Sequence, residues 1–277
     1  MFTLFNRYHN GDIFYSRPIV QKLLDNNFKV SYYHNCNHKI LEDLPVSYAG
    51  PPSKLLVESI PDKVIETWVG RNNSKLLFQG CSFACHSSLA KDILDEYGIV
   101  YKNDLEFLPT VAYHNLDQEV ISKINDSLGT IKAKFKKVVL ICNNKCLSGQ
   151  AQNFNFNPVI SRLFESHKEV FFIVSNSTNL RAANLLEASN IIGNMDCDLL
   201  YLSYLSTHSN IIVGRASGPH CFTHVRENLL DEKKTYISIT NNYNEGTWFP
   251  QSLAHQVWSD DPSLSNVFNL MNNEVKK

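Results

Sequence analysis

Four short apolar runs, separated by segments with helical periodicity, constrain the fold of this chain more than any other feature. The runs are KVVLIC (137–142), VFFIVS (170–175), NIIVG (210–214) and TYISIT (235–240). Helices are predicted at 157–167, 177–188, 196–208 and from 219 onward, with one more short strand at 190–194. Strands that alternate with helices form parallel sheets, so this half of the chain predicts an α/β domain.

The N-terminal half repeats the alternation with less regular spacing. Strands are predicted at 3–8, 28–33, 64–69 and 75–78, and helices at 13–26, 87–97 and 115–136. Pro18 lies inside the first of these helices, which should therefore begin or kink there. We place a domain boundary near residue 132, so the chain is predicted to form two α/β domains, residues 1–131 and 132–277.

Composition excludes several classes of protein. The chain has 277 residues, 43% of them hydrophobic, and a net charge of −1. Such a balance gives no overall basic field for duplex nucleic acid, so no nucleic-acid partner is expected. No apolar run approaches the ~18 residues of a transmembrane helix. The N-terminus lacks the pattern of a signal peptide, and seven scattered cysteines indicate reduced thiols. We expect a cytoplasmic protein, with peripheral membrane contact left open.

The segment NIIVGRASGPHCFTH (210–224) is the most informative turn. A buried strand runs directly into small residues, and Pro219 is placed to open a helix. The first turn of a helix leaves backbone N–H groups free, which can hold an anion. The alternative is an ordinary strand-to-helix turn. Because ligands of open α/β sheets gather at the carboxyl ends of strands, the turns at 10–12 and 143–145 are candidates as well.

Two stretches resemble the heptosyltransferase-like glycosyltransferases of the GT-B fold. NGDIFYSRPIVQKLL (10–24) is similar to the opening of that family, where a Gly-Asp turn precedes a proline and a helix. DLLYLSYLSTHSNIIVGRASGPHCF (198–222) resembles its C-terminal signature, where a strand ends in a Ser/Thr-Gly turn that faces the donor diphosphate. The two stretches occur in the expected order, and the pattern of elements between them agrees.

The resemblance implies an α/β fold of two Rossmann-like domains that face a cleft. It places the acceptor on residues 1–131 and the nucleotide-sugar donor on residues 132–277. It also implies inversion at the anomeric carbon without a metal or another cofactor. The partners it implies are a nucleotide sugar and a glycan or glycolipid acceptor.

By position, the resemblance assigns roles to individual residues. Asp12 matches the general base, and Ser217, Gly218 and Pro219 match the diphosphate turn. Lys145 follows the strand at 137–142, where relatives place a basic phosphate ligand.

Other side chains near these turns are candidates for the same chemistry. Arg215 offers a bidentate contact to the departing diphosphate, with a structural ion pair as the alternative. His220 is a second candidate for the donor phosphate. Gly11 and Arg17 are expected to contact the substrate, Arg17 as a ligand of an anionic acceptor or of the phosphate. Asp12 has the alternative role of helix cap.

The sequence also departs from the family pattern. Relatives have Asn-Asp before the Ser-Gly pair, and a histidine three positions after the glycine. Here these positions hold Arg215, Ala216 and Cys221, and His220 comes one residue early. The donor contacts and the sugar preference of the family therefore do not transfer directly.

No metal site is predicted. Asp196-Cys197-Asp198 has the D-x-D pattern that binds divalent metals in another glycosyltransferase fold. It precedes a predicted helix, where acidic residues interact favourably with the helix dipole, so we interpret it as a cap, with a ribose contact as the alternative. Two cysteine clusters lack the spacing of zinc sites: Cys81, Cys85 and His86, and Cys142 and Cys146. Trp68 and Trp248 are predicted to pack in the core, with stacking on a sugar or a base as the alternative.

The sequence therefore predicts an inverting, metal-independent glycosyltransferase. A nucleotide-sugar epimerase or a pyruvyl transferase of similar architecture is one alternative. A catalytically silent α/β binding protein is another.

Overall fold

The structure is a computed structural model and describes residues 1–6, 9–51, 63–67, 90–92, 94–147, 149–241 and 249–277. Several predictions fall wholly or partly outside these residues: the strand at 75–78, the start of the helix at 87–97, Trp68, Trp248 and the cluster of Cys81, Cys85 and His86. Within the described residues the chain forms two parallel β-sheets with helices packed against them.

The N-terminal sheet has the strand order β3-β2-β1-β4. Its strands are β1 (Phe2–Asn6), β2 (Val30–His34), β3 (Ser47–Tyr48) and β4 (Lys63–Glu66), all paired in parallel. Helices α1 (Asn10–Tyr15) and α2 (Arg17–Asp25) connect β1 to β2. Single 3-10 turns follow at His38–Leu41, Asp104–Phe107 and Tyr113–Asn115. The short strand β3 was not predicted.

The predicted helix at 13–26 is in fact two helices that meet at Ser16. The Ser16 hydroxyl donates a hydrogen bond to the Ile13 carbonyl at 2.7 Å, which ends α1. Pro18 lies in the first turn of α2. Backbone N–H groups there have no acceptor within the helix, so the lack of an N–H in proline costs no hydrogen bond. The expected break at Pro18 is confirmed.

The C-terminal sheet has the order β10-β9-β8-β5-β6-β7, and every neighbouring pair is parallel. Its strands are β5 (Lys137–Cys142), β6 (Val170–Val174), β7 (Leu185–Glu187), β8 (Ile211–Arg215), β9 (Thr235–Ile239) and β10 (His255–Ser259). Helix α3 (Gln118–Lys132) comes before this sheet, and the helices that follow are α4 (Asn157–Ser166), α5 (Ser189–Ile192), α6 (Leu199–Thr207), α7 (Gly218–Cys221), α8 (Arg226–Leu229) and α9 (Leu264–Lys276).

The prediction for residues 177–194 was wrong. The predicted helix at 177–188 contains the edge strand β7, which pairs with β6, and the predicted strand at 190–194 overlaps helix α5. Both segments are short and apolar, and periodicity does not separate a strand from a helix over so few residues. Strand β10 and helix α9 follow the last predicted element and were not anticipated.

Residues of strand β5 alternate between two cores. Val138, Leu140 and Cys142 belong to the core that faces the N-terminal half, whereas Val139 and Ile141 face helices α4 and α9. Successive side chains of a strand point to opposite faces, so a sheet buried on both sides needs an uninterrupted apolar run. This explains why KVVLIC was recognised with its correct bounds.

The larger core joins the two halves of the chain. It extends from Phe2 in β1 to Ala254 before β10 and includes residues of both sheets. Phe14 of α1 and Phe222 after α7 meet across it, with ring centroids 4.4 Å apart. The boundary near residue 132 stays a prediction; helix α3, just before it, packs against α5 and α6 of the C-terminal half. No helix among the described residues is long and apolar enough to cross a membrane.

Candidate active site

A cleft of about 390 Å³ lies where the two halves face each other. Its N-terminal wall consists of the residues that open α1 and of the segment after β2: His9, Asn10, Cys36, Asn37 and Ile40. These residues follow the carboxyl ends of β1 and β2. The volume is in the range of small-molecule sites, which is about 300–1,000 Å³.

Three segments of the C-terminal half form the opposite wall. They are the loop after β5, the loop that enters α6, and the turn after β8: Asn144, Lys145 and Leu147; Asp196, Cys197, Asp198 and Leu199; Ser217, Gly218 and Pro219. The fold therefore brings the predicted turns at 143–145 and 217–219 to one wall, opposite the turn at 9–10. All lie at carboxyl ends of parallel strands, as expected for a ligand site in an α/β sheet.

Ser217 and Lys145 are the predicted donor ligands whose polar atoms are free of other partners. Ser217 is 7% exposed, and its hydroxyl has no hydrogen-bond partner among the residues that the structure describes. Lys145 is exposed and has no carboxylate within ion-pair distance among the described residues. A buried hydroxyl without a partner is costly unless a ligand or water completes its bonding. This wall is therefore suited to a polar or anionic ligand.

Asp12 lies at the start of α1, behind the cleft wall. Its carboxylate accepts a hydrogen bond from the His9 N–H at 3.2 Å, which caps the helix. Burial raises the pKa of Asp12, and the His9 backbone partly opposes that shift. Burial, with the Asp12 charge as a smaller cause, raises the pKa of the Cys36 thiol, which lines the cleft. The capping contact is present, and the role of general base stays a prediction.

Gly11 belongs to a helix contact rather than to the cleft wall. A Cβ atom on Gly11 would lie 3.2 Å from the Cys221 sulfur, so the missing side chain lets α1 approach α7. At the same contact, a Cβ on Gly218 would lie 3.4 Å from the Cβ of Asn10. Gly11 thus has a packing role where the two walls meet, and its substrate contact stays a prediction.

Arg17 is fully buried and does not reach the cleft. Its guanidinium forms an ion pair with Asp43 and donates to the Thr110 carbonyl at 2.8 Å. The Asp43 carboxylate also accepts the N–H of Ala112 at 2.9 Å. Because its charge is paired and its donors are engaged, Arg17 holds α2 to two loops. The predicted contact with an anionic substrate is corrected accordingly.

Arg215 is 1% exposed and binds main-chain carbonyls. It donates to Asn143 at 2.8 Å, to Asn144 at 2.6 and 3.1 Å, and to Phe154 at 2.7 Å. Burial lowers its pKa. Among the described residues, no carboxylate forms an ion pair with it. Arg215 fixes the loop that carries Lys145 and lines a second pocket beside that lysine, and its direct phosphate contact stays a prediction.

His220 is buried behind the turn rather than exposed on it. Neither ring nitrogen has a hydrogen-bond partner in the described part of the chain, and the ring packs on Gly214, where a Cβ would lie 2.6 Å from the ring. Burial lowers the pKa of His220 to about 3, so the ring is neutral at pH 7. The next histidine, His224, bonds the Tyr15 hydroxyl of the N-terminal half at 3.0 Å. The predicted phosphate role of His220 is therefore corrected to packing.

Asp198 is the functional candidate whose interpretation changes most. It occupies the N-cap position of α6, yet its side chain makes no capping hydrogen bond, and it lines the cleft. Burial raises its pKa. Asp196, also on the wall, is 82% exposed in its side chain and pairs with Lys39 of the other half at 3.8 Å. The sequence shows the D-x-D pattern, but it does not show that Asp198 lines the cleft and leaves the helix uncapped.

Metal ligands do not cluster in the described part of the chain. No group of three or more His, Cys, Asp and Glu side chains there is close enough to hold an ion. Cys142 and Cys146 lie in different places. Cys142 ends β5, and the Cys146 thiol donates a hydrogen bond to the Ala216 carbonyl at 3.1 Å.

No family model and no curated protein matches the sequence. Solved structures do match. Heptosyltransferase WaaC of E. coli with ADP has a TM-score of 0.60 at 8% identity, over 100% of this chain and 99% of that one. The glycosyl transferase family 9 protein of Veillonella parvula DSM 2008 has a TM-score of 0.59 at 9% identity, over 98% and 90%.

A third match is TibC, an iron-containing dodecameric glycosyltransferase of enterotoxigenic E. coli H10407. Its TM-score is 0.53 at 11% identity, over 94% of this chain and 63% of that one. At such identities the similarity establishes the fold alone. The chain thus has the α/β fold with two facing parallel sheets, GT-B, that heptosyltransferases have.

Proposed function

We propose that this protein is an inverting, metal-independent glycosyltransferase that moves a sugar from a nucleotide-sugar donor to a glycan or lipopolysaccharide-type acceptor in the cytoplasm. The observation that carries the proposal is the wall of the cleft. Lys145 and Ser217 offer unpaired polar atoms there, at the carboxyl ends of β5 and β8. The same fold binds ADP in heptosyltransferase WaaC.

The donor would lie against the C-terminal wall. The Lys145 ammonium would meet the diphosphate as a point charge, and the Ser217 hydroxyl would donate to it. Beneath the loop, the guanidinium of Arg215 adds positive charge that no carboxylate cancels among the described residues. Fixed donors aimed at a leaving group whose charge grows are a main source of catalysis. Arg215 acts as a positioning residue, because its guanidinium holds the carbonyls of the loop that carries Lys145.

The acceptor would lie against the N-terminal wall, near Asp12. The Asp12 carboxylate would take the proton of an acceptor hydroxyl while the oxygen attacks the anomeric carbon. The bond from that carbon to the diphosphate breaks, and its electron pair leaves with the phosphate oxygen. Burial raises the pKa of Asp12, which strengthens a carboxylate as a base. To reach the acceptor, the carboxylate has to exchange its contact with His9.

Ligand-induced stabilisation tests the donor proposal. The melting temperature of the protein is measured with a panel of nucleoside diphosphates and nucleotide sugars, with EDTA and with added Mg²⁺. A donor at a hundredfold excess over its dissociation constant stabilises the fold by about 2.7 kcal/mol. The shift should survive EDTA and be reduced in Lys145→Gln. The matched control is Lys134→Gln, which changes an exposed lysine two residues after the end of α3. If no nucleotide in the panel shifts the melting temperature, the proposal is contradicted.

Product analysis separates the alternatives. A transferase needs an acceptor, so labelled sugar should appear on a glycan or glycolipid only when one is added, and Asp12→Asn should abolish transfer without abolishing donor binding. A nucleotide-sugar epimerase would convert the donor alone, and a pyruvyl transferase would leave the sugar on its nucleotide. If the protein is a catalytically silent binding protein, the wild type and Asp12→Asn should both bind the donor, and neither should turn it over.

A further inference from the structure

Helices α3 and α6 contact each other through a lysine and a histidine at their C-terminal ends. Lys132 is the last residue of α3, and its Nζ lies 3.4 Å from Nδ1 of His208, the C-cap of α6. Helix α6 begins at Leu199 on the cleft wall, so the contact lies at the other end of that helix. Neither residue has a part in the proposed function.

The surroundings of His208 determine where its proton lies. Its Nε2 is buried and has no hydrogen-bond partner among the residues that the structure describes. Burial lowers the pKa of His208 to about 4, and the charges of Lys132 and Lys234 act in the same direction. The ring is therefore neutral at pH 7 and carries a single N–H. A buried N–H without an acceptor is rarer in proteins than a buried acceptor without a donor, so this geometry favours the proton on Nδ1. The Nδ1–H then faces the Lys132 nitrogen, which accepts a hydrogen bond only as a neutral amine.

Positive charge around the pair also favours a neutral Lys132. Lys234 is 4% exposed, and its ammonium donates to three main-chain carbonyls at the end of α6, at 2.6–3.2 Å. Burial lowers the pKa of Lys234 to about 8; the charge of Asp231 opposes this shift, and that of Lys132 adds to it. Burial lowers the pKa of Lys132 as well. Among the described residues, no carboxylate forms an ion pair with Lys132 or Lys234. Loss of the charge on Lys132 thus relieves repulsion between two cations.

Two other lysines provide internal comparisons. Lys123, also on α3, pairs with Glu119 at 2.8 Å, and that hydrogen bond raises its pKa. Lys134 is exposed, two residues after α3, and forms no ion pair in the described part of the chain. Lys132 is exposed too. The three amines are therefore open to solvent, and they differ in the group that each one faces.

We propose that Lys132 is a modification site, whose amine is acylated by acyl phosphates in preference to Lys134 and Lys123. This inference does not depend on the proposed function. An acyl phosphate is an anion, and the basic run of Lys132, Lys134 and Lys136 attracts it. Within that run, Lys132 is the lysine that an imidazole keeps unprotonated.

The reaction transfers the acyl group to nitrogen. The Lys132 nitrogen gives up its contact with His208 and attacks the carbonyl carbon of the acyl phosphate. The bond from that carbon to the phosphate oxygen breaks, and inorganic phosphate leaves with the electron pair. One proton passes from the nitrogen to water, and a neutral amide remains. Because the amide has no charge, the product no longer repels Lys234.

The experiment incubates the full chain with acetyl phosphate at pH 7.5. Tandem mass spectrometry of proteolytic peptides measures the initial rate of acetylation at Lys132, Lys134 and Lys123. The rate depends on the neutral fraction of each amine, so Lys132 should react at least about threefold faster than Lys134, and Lys123 more slowly than Lys134. Lys134 is the matched control, because it shares the basic run. Equal rates at Lys132 and Lys134 would overturn the proposal.

His208→Glu tests the contact itself. A carboxylate at this position should pair with Lys132 and keep it protonated, as Glu119 does for Lys123. The rate at Lys132 should then fall to that of Lys134 or below, and the rate at Lys134 should stay the same. Circular dichroism and the melting temperature establish that the variant is folded. An unchanged rate at Lys132 contradicts the proposal.

If His208→Glu does not fold, the wild-type ratio of the Lys132 rate to the Lys134 rate is measured from pH 7 to pH 10. His208 stays neutral over this range, whereas Lys234 loses its proton near pH 8 and no longer repels Lys132. The ratio should fall toward one as pH rises, because a more acidic ammonium has no advantage once both amines are neutral. A ratio that stays constant contradicts the proposal.

Discussion

The two buried arginines show two ways of accommodating a charge inside this fold. Arg17, in the N-terminal half, is neutralised by the Asp43 carboxylate. Arg215, in the C-terminal half, is held by the carbonyls of Asn143, Asn144 and Phe154 and lies over the Phe154 ring at 5.0 Å. Both were predicted as ligands of an anion, and both are nearly or fully buried.

The difference determines what each region can contribute to binding. The buried Arg17–Asp43 ion pair is neutral overall, so it offers no net positive charge to an anionic ligand. The carbonyls around Arg215 supply dipoles but no full negative charge, so positive potential persists below the loop of Lys145. The C-terminal wall is therefore the one suited to a phosphate.

The largest effect is expected for Arg17→Met. This change leaves the Asp43 carboxylate buried without its cation, which costs about 3–5 kcal/mol of unfolding free energy. Urea denaturation at pH 7 measures it. The double variant Arg17→Met with Asp43→Leu should recover part of the loss, because no buried charge remains. A loss below about 1 kcal/mol in the single variant would contradict the buried ion pair.

A smaller loss of about 3 kcal/mol is expected for Arg215→Met. No carboxylate is abandoned here, but three part-buried carbonyls lose their donor at about 1 kcal/mol each. The same variant should weaken pyrophosphate binding, since the loop of Lys145 loses its support. If Arg215→Met costs more stability than Arg17→Met, the contrast between the two sites is wrong.

His220 represents a third solution, in which the buried base stays neutral. Its pKa is lowered from 6.5 to about 3, so between these values the unfolded chain holds a proton that the folded chain lacks. Stability therefore falls as pH falls below about 6.5, and the step from pH 7 to pH 5 removes about 2 kcal/mol. His220→Leu should remove that part of the pH dependence. The exposed control His114→Leu should leave it in place, and equal slopes in all three proteins would contradict the prediction.

The smallest effect is expected for Lys39→Gln. The Lys39–Asp196 pair spans the cleft at 3.8 Å, but the Asp196 side chain is 82% exposed. Exposed pairs contribute about 0–1 kcal/mol, and salt screens them. Urea denaturation should show a loss of at most about 1 kcal/mol at low salt and a smaller one at high salt. If Lys39→Gln lowered the unfolding free energy as much as Arg17→Met does, solvent exposure would not determine the strength of these ion pairs.

Fold class and most strands were predictable because a buried parallel strand leaves a continuous apolar run. Strand β5 (Lys137–Cys142) has the predicted bounds. The errors lie where elements are short: β7 is a three-residue edge strand with half-buried side chains, and α5 has four residues. Residues 185–187 form a strand because they pair with β6, and the local sequence does not reveal that pairing.

The site was predictable where position along a strand decides it. Lys145 and Ser217 follow strand ends, and the cleft lies there. Long side chains were harder, because a guanidinium near a strand end reaches carbonyls or a carboxylate that are distant in sequence. Arg215 bonds Asn144 and Arg17 bonds Asp43, and neither contact has a local signal. Asp198 was visible as an acid, but only the structure separates its side chain from the helix.

The apolar core shared by both halves makes this a molecule that cannot be divided. Phe14 and Phe222 pack across it, and Tyr15 bonds His224. A gene fragment that encodes one sheet alone would expose this surface to water, so separately expressed halves should aggregate. Mixed during refolding, they should instead assemble with each other, as complementing fragments of a single cooperative unit.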